Sequence, residues 1–215
     1  VIDSVDLTKR LVNTERMAAW GEMSARSAHM IGNRVFAIKG DLNELNHLME
    51  SGASQEEQKE LITSLEKGIF RLEEILSEFR EFVMATKLKS EPTNINDLVK
   101  DAVTEAFPKK SNVQLDLRLE DGLPLVEADT SKLRRCFSEL VENSFNFQQE
   151  GGTLLVATES VSSGRDMVRV VVEDHGPGIP DDMKKQIFRP FFSTRSKGMG
   201  LGLSIVKGIV DAHSG

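Results

Sequence analysis

A proline-free stretch covers residues 4–88 and carries apolar or small residues at helical spacing. Intervals of three, four and seven place each set on one helical face, with the turn-like sequence SGAS at 51–54 between the two sets. The first set is Leu7, Leu11, Ala18, Ala25, Ala28, Ile31, Val35, Ile38, Leu42, Leu45 and Met49, and the second is Leu61, Leu65, Ile69, Leu72, Leu76, Phe79 and Val83. Ser54, followed by Glu56 and Glu57, predicts a capped start for the second helix. The stretch therefore predicts a long antiparallel helical hairpin.

Each helix of this hairpin would bury only one stripe of side chains. A hairpin of this length would still expose apolar surface, which favours dimerisation into a four-helix bundle. We therefore expect a homodimer.

Pro92 marks a change in pattern, because proline disfavours helical geometry in the residue before it. Beyond it, helices are predicted at 94–107, 130–147, 181–188 and 201–212, and strands at 113–119, 151–160 and 167–174. The turn SSGRD separates the last two strands, which predicts an antiparallel pair. Strands that form one sheet, with helices packed on it, indicate an α+β or α/β sandwich over residues 91–215.

Composition narrows the function classes. The net charge of −7 argues against a general nucleic-acid partner, which usually meets a basic surplus. Cys136 is the only cysteine, so an internal disulfide is impossible. No apolar run approaches the ~18–20 residues that span a bilayer, and the N-terminus lacks a signal-peptide core. We expect a cytoplasmic chain with no membrane-spanning segment.

Three segments of the second half carry the candidate chemistry: ELVENSFNF at 139–147, EDHGPGIP at 173–180 and KGMGLGLSIVKG at 197–208. Asp174 ends a predicted strand and can accept a hydrogen bond from an exocyclic amine, while the glycines after it allow close approach of a ligand. Glycines before a helix can offer backbone N–H groups to phosphate oxygens. Asn143 offers an amide oxygen suited to Mg²⁺. Each motif alone is also consistent with an ordinary loop or cap.

In this order and spacing, the segments resemble the catalytic ATP-binding domain of sensor histidine kinases, part of the gyrase-type ATPase superfamily. The helix at 139–147 resembles the N box, DHGPGI the first glycine box, FRPFFSTR at 188–195 the phenylalanine box, and GMGLGL the second glycine box. A Walker A loop is absent, and a Rossmann interpretation fails because these glycines do not follow a strand. The resemblance implies a gyrase-type α/β sandwich over 91–215 that normally continues past Gly215, so we expect truncation and an unpaired sheet edge.

The resemblance also implies roles for individual residues. Asp174 would recognise the adenine amino group of ATP, and Asn143 would coordinate Mg²⁺ between the phosphates. Further cofactor-binding positions are Asn146, Gly176, Gly178, Ile179, Phe192, Arg195, Lys197, Gly198, Gly200, Leu201, Gly202 and Leu203. Phe188, Phe191 and Phe192 would anchor a mobile lid, with core packing as the alternative for at least one of them. Arg195 and Lys197 would meet the γ-phosphate from the lid or remain solvated loop charges.

His29 stands beside the apolar stripe of the first helix in a segment that resembles the family's dimerisation and phosphoacceptor helix. The family pattern reads His-acid-x-x-Asn/Thr-Pro, so His29 would be the phosphoacceptor and Asn33 matches the fifth position. Met30 replaces the acid and Arg34 replaces the proline. A neighbouring carboxylate would increase the basicity of the ring, so its loss puts the autophosphorylation rate in question. Without the proline, the helix is expected to run straight past the site.

Two departures fall in the N box. Glu139 replaces the commoner asparagine, and Asn146 stands where a lysine often meets phosphate. Glu139-x-x-x-Asn143 also matches the gyrase-type pattern, in which the glutamate is a general base. Glu139 is therefore either the base that substitutes for the missing acid or a helix-surface acid.

The sequence supports three functions. The leading one is a dimeric histidine kinase that uses ATP and Mg²⁺ to phosphorylate His29 and passes the phosphoryl group to a response-regulator aspartate. The second, suggested by Met30 and Arg34, is an ATP-binding regulatory module acting mainly as a regulator phosphatase or scaffold. The third, an ATP-hydrolysing machine of the gyrase type, fits Glu139 but leaves the hairpin unexplained.

Overall fold

The computed structural model describes residues 4–108, 111–148, 151–162, 166–194 and 200–215, with side chains from residue 28 onward. The chain divides into two compact units, residues 1–80 and 81–215. None of the helices described is long and apolar enough to cross a membrane.

The first unit is the predicted helical hairpin. Helix α1 spans Ser4–Ser51, and α2 spans Gln55–Met84, whose last turn belongs to the second unit. Ser54 caps α2 as predicted: its hydroxyl accepts a hydrogen bond from the Glu57 amide, and the Glu57 carboxylate accepts one from the Ser54 amide. These bonds lower the pKa of the Glu57 carboxyl. α1 continues through residues 29–34 without a break, as the missing proline predicts.

Two contacts show that the hairpin helices run antiparallel. The Ser64 hydroxyl donates to Asp41 Oδ2 at 2.7 Å. A Cβ added to Gly68 would lie 2.9 Å from Ile38 Cγ1, so the helices approach closely here. Both pairs are nearly equidistant in sequence from the turn at Gly52, whose φ of +71° favours glycine.

The predicted apolar stripes are only partly covered within this unit. Ile31, Ile38 and Leu45 of α1 are half-buried at seven-residue spacing. A second row on each helix is exposed at the same spacing: Val35, Leu42 and Met49 on α1, and Ile62, Ile69 and Leu76 on α2.

The second unit is a layer of helices on one face of a mixed sheet. Its helices are α3 (Ile95–Ala106), α4 (Thr130–Phe147), α5 (Asp181–Lys184) and α6 (Gly202–Ala212). Its strands are β1 (Glu91–Thr93), β2 (Gln114–Leu119), β3 (Val126–Ala128), β4 (Thr153–Ser162) and β5 (Asp166–Glu173). β4 lies between β2, to which it is parallel, and β5, to which it is antiparallel.

The core lies between this sheet and helices α3, α4 and α6. Burial alternates along β4, where Leu154, Val156 and Thr158 are buried toward the helices. Leu201, which immediately precedes α6, and Ile205 and Ile209 within it are at most 2% exposed and complete the same cluster. The predicted α/β sandwich is confirmed. Helix α4 lies beside both the loop that follows β5 and the loop that precedes α6.

The structure differs from the sequence prediction at three places. A separate antiparallel pair, β1 with β3, was not predicted because three-residue strands carry no periodicity. The β4–β5 ladder extends to Ser162 opposite Asp166, so the turn is shorter than SSGRD. The helix predicted at 181–188 ends at Lys184, and the Met183 carbonyl accepts bonds from both the Gln186 and Ile187 amides as the chain tightens into turns.

Candidate functional site

The three motif segments of the second unit meet around α4. The segment after β5 is tied to the end of α4, because the His175 amide donates to Gln148 Oε1 at 2.7 Å. The His175 ring, through Nδ1, contacts the Thr153 carbonyl at 2.9 Å. The start of α6 lies against Glu139 in the middle of α4. One helix therefore brings together residues that lie up to 63 positions apart in sequence, from Glu139 to Gly202.

Asp174 and Gly176 form a tight turn on the end of α4. The exposed Asp174 carboxylate accepts a hydrogen bond through Oδ1 from the Gly176 amide at 2.9 Å, which fixes its orientation. A Cβ at Gly176 would lie 2.7 Å from the Phe147 carbonyl oxygen, so only glycine fits. Gly178 has a φ of +75°, which also favours glycine.

Apolar surface flanks this turn. The side chains of Ile179 and Phe147 are 46% and 42% exposed, respectively. Sequence reasoning placed Ile179 in the site and missed Phe147, although the aromatic pair in FNF was a usable signal. A carboxylate beside exposed apolar side chains is the combination that a purine base requires, with one polar edge and two apolar faces.

The second glycine segment packs against the phenylalanine segment. Gly200 has a φ of +69°, and a Cβ there would lie 2.5 Å from the Phe192 carbonyl oxygen. Phe191 has a φ of +65° and packs against the core, which is the packing role foreseen for at least one of these phenylalanines. Phe188 is 42% exposed. Arg195, Lys197 and Gly198 lie outside the described residues.

The start of α6 is built closely around Leu201 and Gly202. Leu201 is 1% exposed, and its carbonyl accepts a hydrogen bond from the Ser204 hydroxyl at 2.6 Å. Leu203 is half-buried. A Cβ at Gly202 would lie 1.9 Å from Glu139 Oε1, so this glycine is what allows the Glu139 carboxylate to lie on the helix.

Glu139 is held at the centre of this arrangement. Its side chain is 17% exposed, its Oε1 accepts a hydrogen bond from Asn143 Nδ2 at 3.2 Å, and its Oε2 pairs with Arg135 at 3.2 Å. Arg135 also pairs with Glu81, near the end of α2, at 3.1 Å. Burial raises the pKa of the Glu139 carboxyl despite the opposing charge of Arg135. A carboxylate whose pKa is raised is a stronger base than an exposed glutamate, which suits it to accept a proton.

The residues around Asn143 fit a magnesium ion. Because Asn143 Nδ2 donates to Glu139, the amide presents its oxygen as the remaining ligand atom. Amide and carboxylate oxygens are hard donors, and Mg²⁺ in nucleotide sites takes one or two protein ligands together with phosphate oxygens. Asn146, one turn further along α4, is exposed.

The first unit places His29 and Asn33 together on the surface of α1. His29 Nδ1 lies 3.3 Å from Asn33 Nδ2, and both residues are exposed. Met30 is half-buried and Arg34 is exposed. His47, further along the same helix, is also exposed.

His213 has a structural role that the sequence did not indicate. Its Nε2 accepts a hydrogen bond from the Asp129 amide at 2.9 Å, and its Nδ1 lies 2.7 Å from the Ile209 carbonyl. The ring thereby ties the end of α6 to the start of α4.

Comparison with known proteins identifies the class of the second unit. Residues 128–215 match the family model of histidine kinase-, DNA gyrase B- and HSP90-like ATPases. The catalytic domain of the histidine kinase ThkA is 31% identical, with a TM-score of 0.52, over 58% of this chain and 81% of that domain. The fold and the arrangement around α4 therefore define an ATPase-type catalytic domain of the histidine kinase class.

The likeness extends over the hairpin. The sensor histidine kinase ZraS of Salmonella typhi is 30% identical over 212 residues, which cover 98% of this chain and 44% of ZraS. The structure of ThkA in complex with the response regulator TrrA matches all of this chain and 61% of that one, at 29% identity and a TM-score of 0.68. The chain spans less than half of the length of ZraS. It belongs to the sensor histidine kinase family.

Proposed function

We propose that this protein is the kinase core of a two-component signalling system. Residues 91–215 bind ATP with Mg²⁺, and residues 1–90 form the dimerising hairpin that carries His29. The γ-phosphoryl group passes to His29 and then to an aspartate of a response-regulator receiver domain. The observation that supports this most strongly is the convergence of Asp174, Asn143 and the glycines on α4, in a chain that also exposes His29.

The nucleotide roles follow from the chemistry of the side chains. The oriented Asp174 carboxylate accepts the adenine amino group, and Ile179 and Phe147 cover the base. Asn143 and the phosphate oxygens hold Mg²⁺, which neutralises phosphate charge when bound. Gly200 and Gly202 let backbone approach the phosphates, while Arg195 and Lys197 meet the γ-phosphate.

Glu139 is proposed as the general base of the transfer. Its carboxylate is largely buried, which distinguishes it from a helix-surface acid. Asn143 and Arg135 orient it, and burial raises its pKa, which makes the carboxylate a better proton acceptor.

A homodimer is the proposed assembly of the hairpin. The exposed rows at Val35, Leu42 and Met49 and at Ile62, Ile69 and Leu76 have the seven-residue spacing of helix-bundle seams. Leu42→Glu with Ile69→Glu should convert the dimer to a monomer by light scattering. The matched control, Asn43→Glu at an adjacent exposed polar position, should remain dimeric. A wild-type monomer at all concentrations would contradict the proposal.

Phosphohistidine formation tests the kinase proposal directly. Incubation with γ-labelled ATP and Mg²⁺ should give a label that is lost in acid and stable in base. His29→Gln should abolish it, whereas His47→Gln, at an exposed histidine of the same helix, should retain it. Acid-labile label that persists in His29→Gln would rule out the assignment.

A second function is favoured by Met30 and by Asn33. With no acid beside His29, the chain would act mainly as a phosphatase toward a phosphorylated regulator, with Asn33 positioning the attacking water. This alternative expects ATP binding with little phosphohistidine, and Met30→Glu should then raise labelling. Steady phosphate release without any phosphoenzyme would instead favour the gyrase-type ATPase.

A further inference from the structure

The contact between His29 and Asn33 engages one nitrogen of the candidate phosphoacceptor ring. The Asn33 amide lies one helical turn beyond His29 and reaches Nδ1 through its nitrogen, Nδ2, at 3.3 Å, whereas Nε2 has no contact with Asn33. Met30, next to His29, carries no group that can accept a proton or a hydrogen bond of comparable strength. The orientation of the ring therefore depends on Asn33 rather than on a neighbouring acid.

The two ends of an amide have opposite effects on this ring. A neutral imidazole carries one proton, and only the nitrogen without it has a lone pair for attack. An amide oxygen facing Nδ1 keeps the proton there and leaves the Nε2 lone pair free. An amide nitrogen facing Nδ1 moves the proton to Nε2 and leaves neither nitrogen available. Because the two ends of the amide are nearly identical in shape, a half-turn about the last side-chain bond exchanges these states.

We propose that Asn33 is a positioning residue that selects the reactive tautomer of His29, in place of the acid that Met30 replaces. This inference rests on the proposed kinase function. In the transfer, the Asn33 amide has made the half-turn that replaces the Nδ2 contact, and its oxygen accepts a hydrogen bond from the Nδ1–H group of His29. The Nε2 lone pair forms the N–P bond while the bond between the γ-phosphorus and the bridging oxygen breaks, and ADP leaves with that electron pair. The Nδ1 proton stays hydrogen-bonded to Asn33 and is then released to the base.

A positioning role for Asn33 and a merely structural role predict different kinetics of autophosphorylation. Asn33 is exposed on a continuous helix, so its loss should not disturb packing. Loss of one hydrogen bond to the ring should lower kcat for autophosphorylation by about tenfold and leave KM for ATP unchanged. Asn33→Asp restores an oxygen acceptor, now charged, and should match or exceed the wild-type kcat.

Nitrogen NMR of the protein labelled with ¹⁵N-histidine tests the proposal without nucleotide. The signals of His29, assigned by their loss in His29→Gln, should show the proton on Nδ1 in Asn33→Asp and predominantly on Nε2 in Asn33→Ala. Asn43→Ala, an exposed asparagine four residues before His47, is the matched control and should change neither the His29 spectrum nor kcat.

The outcomes distinguish this proposal from the kinase function itself. A His29 tautomer that is the same in wild type, Asn33→Ala and Asn33→Asp overturns the role of Asn33, even if His29 is phosphorylated normally. An unchanged kcat in Asn33→Ala overturns it as well. Absence of phosphohistidine in the wild type refutes the kinase function, and this proposal fails with it.

Discussion

Replacing Gly202 with alanine is expected to displace the candidate base Glu139. The added Cβ would lie 1.9 Å from Glu139 Oε1 and 2.5 Å from Cδ. The carboxylate must therefore withdraw by about 1.5 Å to reach ordinary van der Waals contact. That movement breaks the 3.2 Å hydrogen bond from Asn143 and stretches the 3.2 Å pairing with Arg135.

The expected cost follows from these lost contacts. A hydrogen bond to a charged group contributes about 1.5–3 kcal/mol to stability. Alanine is up to about 1 kcal/mol more favourable than glycine in a helix, which offsets part of the loss. Gly202→Ala should therefore lower the free energy of unfolding by about 1–2 kcal/mol, and the melting temperature by about 3–8 °C. Urea denaturation without nucleotide measures the effect.

Two further variants test whether the loss of stability comes from the contact between residue 202 and Glu139. Gly208→Ala makes the same change in the same helix, where the added Cβ meets Ala85 at an ordinary 3.4 Å, and it should be neutral or stabilising. Combining Gly202→Ala with Glu139→Ala removes the clash, so the cost of the glycine substitution should disappear in that background. An equal loss of stability with and without Glu139 would refute the reasoning.

Three further predictions concern the same unit. Asp129, which caps α4, is buried, but hydrogen bonds from the Lys89 amide, the Ser131 hydroxyl and the Lys132 amide lower the pKa of its carboxyl. Asp129→Asn should therefore cost about 1 kcal/mol at pH 7, and denaturation measured as the pH falls through that lowered pKa should show the difference vanishing. Leu154→Ala, at a fully buried position of β4, should cost about 2–5 kcal/mol by chemical denaturation, and a smaller loss would contradict its place in the core. Glu139→Gln should slow phosphorylation of His29 by about 10²-fold or more, and an unchanged rate in single-turnover labelling would remove the base assignment.

Local signals accounted for much of the fold. The predicted helix at 130–147 has the same bounds as α4, and the Ser54 cap forms as its sequence indicates. Both depend on interactions within a few residues. The β1–β3 pair was missed because its paired residues lie 33 to 37 positions apart in sequence and neither strand is long enough to show a pattern.

The candidate site was predictable as a set of motifs and not as a set of contacts. Asp174, Gly176 and Gly178 stood out by spacing alone. The structure shows why both glycines are needed: Gly176 lies in close contact with the Phe147 carbonyl, and Gly178 has a positive φ. The packing of Gly202 on Glu139 was not readable, because it depends on how α4 and α6 meet. The same holds for the Gln148 side chain that fixes His175.

The hairpin was likewise predictable only in part. The sequence placed Ile38 and Leu42 on one apolar face, but only the structure shows that Ile38 packs against α2 while Leu42 is 47% exposed. Periodicity identifies an apolar stripe and does not say which of its rows a single chain can cover.

The central claim is that ATP delivers its phosphoryl group to His29, and peptide mapping tests it most directly. Trypsin should release His29 in the peptide covering 27–34 and His47 in the peptide covering 40–59. After incubation with ATP and Mg²⁺, tandem mass spectrometry under basic conditions should find phosphohistidine in the peptide at 27–34 and none in the peptide at 40–59. Phosphorylation confined to any other peptide, or none at all while ATP is bound, would contradict the account.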